Sequence, residues 1–329
     1  MCTAISYCPG DHYFGRTLDN EFSYRETVTV TPRRFPLSFR HCGMLNDHRA
    51  IIGMAYVQDD YPLYYDAVNE AGLCMAGLNF PGNAHYFDPA PNKDNIASFE
   101  LIPWLLGQCD TVAQARKRLA EVQITNDAFR ADLPPTPLHW LLADRTESAV
   151  IESTADGLHC YENPVGVLTN NPPFPAMLWH LSNYMNLSSL PAANRFAPGL
   201  ELTAESRGMG AMGLPGDLSS QSRFVRAAFT KGNAVTLGGE DDSVSQFFHI
   251  LGSVSQQRGC VQLKKDVFEI TVYTSCCNAD KSVYYYTTYG NQRITAVDMY
   301  GENLDASDLI SYPLQTKQDI LHQNSLNEA

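Results

Sequence analysis

Short runs rich in apolar, aromatic and β-branched residues recur along this chain, and short turn signals separate them. Thr3-Ala4-Ile5-Ser6-Tyr7 and the run from Tyr13 to Leu18 flank Pro9-Gly10-Asp11, which predicts a β-hairpin beginning at the N-terminus itself. Further strands are predicted at 26–31, 51–57, 62–68, 73–79, 138–143, 149–153, 165–169, 268–275, 283–289 and 294–299. Turns as short as Asn69-Glu70-Ala71-Gly72 make many neighbours antiparallel.

Helical periodicity is confined to four places. Asp110 or Thr111 is suited to cap a helix whose Val112, Ala115, Leu119 and Val122 share one stripe, with Arg116, Lys117 and Glu121 turned to water. Similar patterns cover 98–106, 219–229 and 242–254. Runs of strands with interspersed helices predict a layered α+β fold. No repeat, low-complexity tract or Pro/Gly linker interrupts residues 1–312, so one domain is expected over 1–329, with the polar end 315–329 as a mobile or assembly tail.

Composition narrows the function classes. A chain of 329 residues that is 44% hydrophobic and holds 17 Tyr and 15 Phe can bury a large core and line a pocket, which excludes disorder as its main state. No stretch approaches the ~18 consecutive apolar residues of a membrane span, and the first turns of chain lack a signal-peptide profile, so a soluble, cytoplasmic protein is expected. The formal charge of −13 opposes a broad hold on nucleic acid or an anionic bilayer, while leaving room for a small anion read locally by arginine. Nine cysteines form an odd set without framework spacing, which points to reduced thiols, mostly core residues.

Most motifs read as structure. Gly208-Met209-Gly210-Ala211-Met212-Gly213 matches a dinucleotide fingerprint, but polar Glu205-Ser206-Arg207 precedes it and Leu214-Pro215-Gly216 follows, where a buried strand and a helix are required; a flexible loop is expected. The nine histidines are dispersed and read as surface or packed side chains, so neither a metal nor an organic cofactor is expected.

Cys2 stands apart because of its position. Initiator methionine is normally trimmed ahead of a small residue, which would leave one residue carrying both a thiol and a free α-amine. An amine of pKa ~7.7–8.0 can accept the proton of a thiol of pKa ~8.5, making nucleophile and base one residue. Position alone leaves an ordinary Met-Cys start open. A Cys2 leading directly into a strand would be held by the sheet, as catalysis requires. The hairpin register sets it against the Leu18 region, which brings Arg16 and Asp19 near the thiol and amine, or else leaves them on an exposed hairpin face.

Six ordered blocks carry a resemblance: Met-Cys-Thr at the start, Phe-Gly-Arg-Thr-Leu-Asp-Asn-Glu-Phe at 14–22, Ala-Gly-Leu-Asn-Phe-Pro-Gly at 76–82, Leu-Thr-Asn-Asn-Pro at 168–172, Leu-Pro-Gly-Asp-Leu-Ser-Ser-Gln-Ser-Arg-Phe-Val-Arg at 214–226, and Tyr-Thr-Ser-Cys-Cys-Asn at 273–278. The chain resembles the choloylglycine hydrolase family of N-terminal-nucleophile hydrolases, in its bile salt hydrolase branch. The resemblance implies an αββα sandwich of two mostly antiparallel sheets with Cys2 on a central strand, and a homotetramer. It further implies Cys2 as nucleophile, Arg16 beside the thiol, Asp19 on the α-amine, Asn79 and Asn170 at the oxyanion hole, and Arg223 as their electrostatic partner. Asn79 discriminates, since penicillin V acylases tend to carry Tyr there, and Asn171 is the one-residue alternative to Asn170. The implied activity is hydrolysis of glycine- or taurine-conjugated bile salts. Tyr24, Phe80, Phe129, Met209 and Met212 are candidates for contacts to the steroid and Arg207 for the leaving group. Penicillin V or N-acyl homoserine lactone hydrolysis is the alternative chemistry, and a steroid-binding scaffold without turnover the alternative class.

Overall fold

The strand segments assemble into two antiparallel sheets. In the computed structural model, which describes residues 1–324, β1 (Cys2–Tyr7) and β2 (Tyr13–Asn20) form the expected hairpin, with Cys2 opposite Leu18 and Ala4 opposite Arg16. Residues 325–329 of the expected tail lie outside the described residues. One sheet has six strands in the order Val167–Leu168, β1, β2, Ile270–Asn278, Val283–Thr288, Asn291–Asp298. The other has eight, in the order Gly157–Glu162, Ser148–Thr154, Leu138–Ala143, Cys74–Asn79, Tyr61–Asn69, Ile51–Gln58, Thr27–Thr31, Ile310–Pro313.

Strand alternation explains why helices cover both outer faces. Ile52, Met54, Val68, Ala76, Leu78, Leu141 and Val150 of the larger sheet join one buried cluster with Ala4, Phe14, Tyr273 and Cys277 of the smaller. The residues out of phase with them, Ile51, Ala55, Met75, Trp140, Leu142 and Ile151, are equally buried, under α1 (Leu101–Gln108) and α2 (Val112–Leu119). Beyond a short α3 (Phe174–His180), α4 (Ser220–Asn233) packs on β1, and α5 (Glu240–Gly252) packs on β2 and Ile270–Asn278. The layers are therefore helix, sheet, sheet, helix, and each fully buried aliphatic or aromatic side chain contributes about 1.5–3 kcal/mol. No helix among the described residues is long and apolar enough to cross a membrane.

Two expectations need correction, and two edge strands were not expected. Val122 does not extend the α2 stripe: the helix stops at Leu119, and Val122 opens a strand that pairs in parallel with Asp94–Ala97, burying its branched side chain beside Ile124. The nucleophile strand is not central. Its outer neighbour, Val167–Leu168, pairs only with Ala4 and Ile5, so the Cys2 end has no strand on that side. Finally, the edge strands Gly157–Glu162 and Ile310–Pro313 escape a pattern reading because their residues are mostly half-buried, which blurs the alternation.

Gly15 sets how closely β2 can approach its neighbour. A Cβ there would lie 2.1 Å from the backbone oxygen of Ser275, an atom that cannot rotate away. Gly15→Ala is expected to destabilise the protein by about 1–3 kcal/mol, the cost of overpacking, and to lower kcat because Arg16 is the next residue. Urea unfolding checks the first effect and initial rates the second.

Candidate active site

The site is built on the first residue of β1. Cys2 is 4% exposed, and its Sγ accepts a hydrogen bond from Arg16 Nη2 across the hairpin. Arg16 is held as a fixed fork: Nε donates to the Thr17 carbonyl at 3.2 Å, and Nη1 donates to the carbonyls of Tyr65, also at 3.2 Å, and of Gly77. Burial opposes its charge, but the Cys2 sulfur, Tyr273, Asp66 and Asp19 outweigh that and hold its pKa above the ordinary arginine value. Asp66 is a buried carboxylate that accepts the hydroxyls of Tyr273 (2.7 Å), Ser275 (2.9 Å) and Tyr284 (2.6 Å).

A second arginine holds the nucleophile's backbone. Arg223 is fully buried on α4; Nη2 donates to Asn170 Oδ1 at 2.7 Å, and Nη1 donates to Thr3 Oγ1 at 2.7 Å and to the Cys2 carbonyl. Asn170 completes the junction by accepting the Cys2 N–H at 2.9 Å and donating Nδ2 to the Asn79 carbonyl at 2.7 Å. Its neighbour Asn171 instead donates to the Pro81 carbonyl, so the structure brings Asn170 and not Asn171 onto Cys2. Asp19 lies 4.0 Å from Arg223 and accepts from Thr271 (2.7 Å) and Thr17 (3.2 Å). Burial pushes its carboxyl above the usual range, while Arg223 and the chain's amino terminus pull it back.

Met1 precedes this assembly. Its amine is bonded to the Glu269 carboxylate and, at 2.8 Å, to the Asp19 carbonyl. Met1 and Cys2 both line a cavity of about 330 Å³, which is also walled by Arg16, Asp19, Asn79, Tyr24, Tyr56, Phe99 and Phe129. Tyr24 and Phe129 therefore stand where a ligand would. Phe80, Arg207, Met209 and Met212 do not line this cavity. Phe80 is buried and stacks on His139, its ring centroid 4.2 Å away. Arg207 and Met212 are exposed and Met209 half-buried on a loop whose Gly210 carbonyl accepts the Ser188 N–H; that contact draws the loop against 188–190.

Sequence reasoning missed Asp66, Glu269, Tyr56 and Phe99. Only Asp66 had a usable signal, a lone carboxylate at a core-phase position of an alternating strand. Part of the wall comes from the Leu133-Pro134-Pro135 loop, which has no periodicity to read.

A buried thiol on the first residue of a strand, fixed by guanidinium and amide groups and opening to a cavity, defines the cysteine-nucleophile amidohydrolase class with the N-terminal-nucleophile fold. The chain belongs to the choloylglycine hydrolase family of linear amide C–N hydrolases, whose family model matches residues 2–312. It is 54% identical over 317 residues to a bile salt hydrolase/transferase of Lactiplantibacillus plantarum, covering 96% of this chain and 98% of that protein. It is 36% identical to a conjugated bile acid hydrolase of Lactobacillus gasseri, with 95% and 100% of the chains covered. The crystal structure of a C2A mutant of the conjugated bile acid hydrolase from Clostridium perfringens superposes with a TM-score of 0.90 at 34% identity, covering 98% of this chain and 100% of that one. Penicillin V acylase from Agrobacterium tumefaciens shares the fold, with a TM-score of 0.76 at 18% identity over 94% and 90% of the two chains.

Proposed function

We propose that this enzyme hydrolyses the amide bond of glycine- or taurine-conjugated bile salts. The observation that carries the reading is the junction of Cys2, Arg16 and Asn170, of which Cys2 and Arg16 line an aromatic-walled cavity, in a chain whose full-length relatives are named for this substrate class. Met1 is removed, and the freed Cys2 amine takes the thiol proton. The thiolate, stabilised by Arg16, attacks the amide carbonyl; Asn170 and the Asn79 backbone receive the oxyanion. The amine returns the proton to the leaving nitrogen, releasing glycine or taurine and leaving the cholyl group as a thioester on Cys2. Water activated by the same amine then cleaves the thioester and regenerates the thiol. Asp19 orients the amine, and Arg223 locks Asn170 to the Cys2 backbone. No cofactor takes part.

The enzyme works as one unit, and the free state of all nine cysteines fits a reducing cytoplasm. Exposed Trp179, Met185, Leu190 and Phe196 form an apolar stretch that supports a homo-oligomer, a tetramer by family resemblance; light scattering reads its mass. Ninhydrin detection of glycine and taurine released from a panel of conjugated bile salts, with penicillin V alongside, tests the substrate. Turnover of penicillin V without release from any bile salt would reassign the enzyme to the acylases.

Phe129 makes a wall with Phe99 and Tyr61, its ring centroid 5.3 Å and 5.8 Å from theirs. Phe129→Ala is expected to raise KM for glycocholate about tenfold, as loss of one apolar wall of ~1.5 kcal/mol requires, with kcat changed by less than about threefold. Steady-state kinetics separates the two parameters.

A further inference from the structure

One ionisable pair in the core takes no part in the chemistry above. His139 on Leu138–Ala143 and Glu152 on Ser148–Thr154 are both 0% exposed and sit one step beyond the cross-strand pair Trp140–Ile151. The imidazole Nδ1 lies 3.0 Å from Glu152 Oε1, and Nε2 lies 2.9 Å from the Thr169 carbonyl oxygen. A carbonyl only accepts, so Nε2 carries a hydrogen aimed at the residue just before Asn170. Thr169 follows the last ladder pair, Ala4 with Leu168, and its carbonyl takes its donor from His139.

The same ring reaches the other arm of the site. Phe80 stacks on it with 5° between planes, and Phe80 follows Asn79 directly. Glu152 Oε1 also accepts the Phe174 N–H at 2.9 Å, which anchors the far end of the segment that carries Asn170. One imidazole therefore touches the neighbours of both Asn79 and Asn170, two residues that are themselves joined at 2.7 Å. Stability alone does not account for the pair, because burying two ionisable groups is commonly no better than packing apolar side chains of the same volume.

We propose that His139 is a positioning residue: its Nε2–H bond to Thr169 and its stack on Phe80 set the separation of the Asn79 and Asn170 arms, and Glu152, against Nδ1, fixes the orientation of the ring. The inference rests on the reading of these arms as the oxyanion site. Small displacements there are costly, since about 1 Å of misplacement can cost 10²-fold in rate.

The test is His139→Phe, which keeps a ring on Phe80 and removes the donor. On glycocholate, kcat is expected to fall about 10- to 100-fold with KM within about threefold. Alkylation of Cys2 by iodoacetamide should stay within about twofold of wild type, because the thiol is held by Arg16 and not by His139. His139→Gln, whose side-chain amide donates to the Thr169 carbonyl, should recover several-fold of the kcat loss. Unchanged kcat in His139→Phe overturns the inference, as does an equal fall in kcat and alkylation rate in folded protein. Should His139→Phe fail to fold, Phe80→Leu, which removes the stacked ring and leaves the bond to Thr169, is read the same way. A wild-type enzyme that releases no glycine refutes the parent reading, whereas an active wild type matched by His139→Phe refutes only this one.

Discussion

Cys2→Ala protein is expected to fold normally and to release no glycine or taurine, a loss on the order of 10⁶-fold, the scale seen when an enzyme loses its nucleophile. The fold survives because Arg16 keeps its carbonyl partners at Tyr65 and Gly77 and the nearby charge of Asp66 when the sulfur goes. Cys2→Ser should be strongly impaired, since an α-amine is poorly matched to a hydroxyl of much higher pKa. The same mechanism requires a free amine on Cys2. Intact mass should show the loss of one methionine, a C-terminal tag should be harmless, and an uncleavable N-terminal extension should inactivate. In the structure the Met1 carbonyl accepts the Asp19 N–H at 2.9 Å while Met1 lines the cavity, so any retained residue occupies space beside the thiol. Full activity with residues retained ahead of Cys2 would refute the amine as base.

Asn170→Ala is expected to lower kcat by about 10²- to 10³-fold, the cost of losing one oxyanion donor. It also leaves Arg223 Nη2 and the Asn79 carbonyl without a partner, so stability should fall by about 1–3 kcal/mol. Asn171→Ala removes only the bond to the Pro81 carbonyl and should stay within a few-fold of wild type. Measuring kcat and Tm for both separates catalysis from folding. A larger kcat loss for Asn171→Ala would place the oxyanion donor one residue further along.

How much of this was legible follows from the range of each interaction. A short apolar run bounded by turn signals reports a strand buried on both faces, so both sheets were readable wherever a strand lies between apolar layers, as at Ile51–Gln58 and Leu138–Ala143. The β1–β2 register was readable because a tight turn leaves few ways to pair, and it set Cys2 against Leu18. That local geometry made Arg16 a candidate neighbour of the thiol, with an exposed hairpin face as the alternative, and the structure decides for the thiol. Asn170, Arg223 and Asp66 meet the hairpin from strands, loops and helices far along the chain, and no local pattern encodes those encounters; only the resemblance to a family indicated the first two. Phe80 shows the limit from the other side. It is adjacent to Asn79, yet its ring turns into the core to stack on His139, because residues next to each other at a strand end point in opposite directions. The sequence by itself determined the layered antiparallel architecture and a cysteine at the start of the first strand. Tertiary structure alone decided which asparagine reaches Cys2, which aromatic side chains wall the cavity, and that a buried imidazole ties the two asparagine arms together, because each of these depends on side chains brought together by packing and not by spacing along the chain.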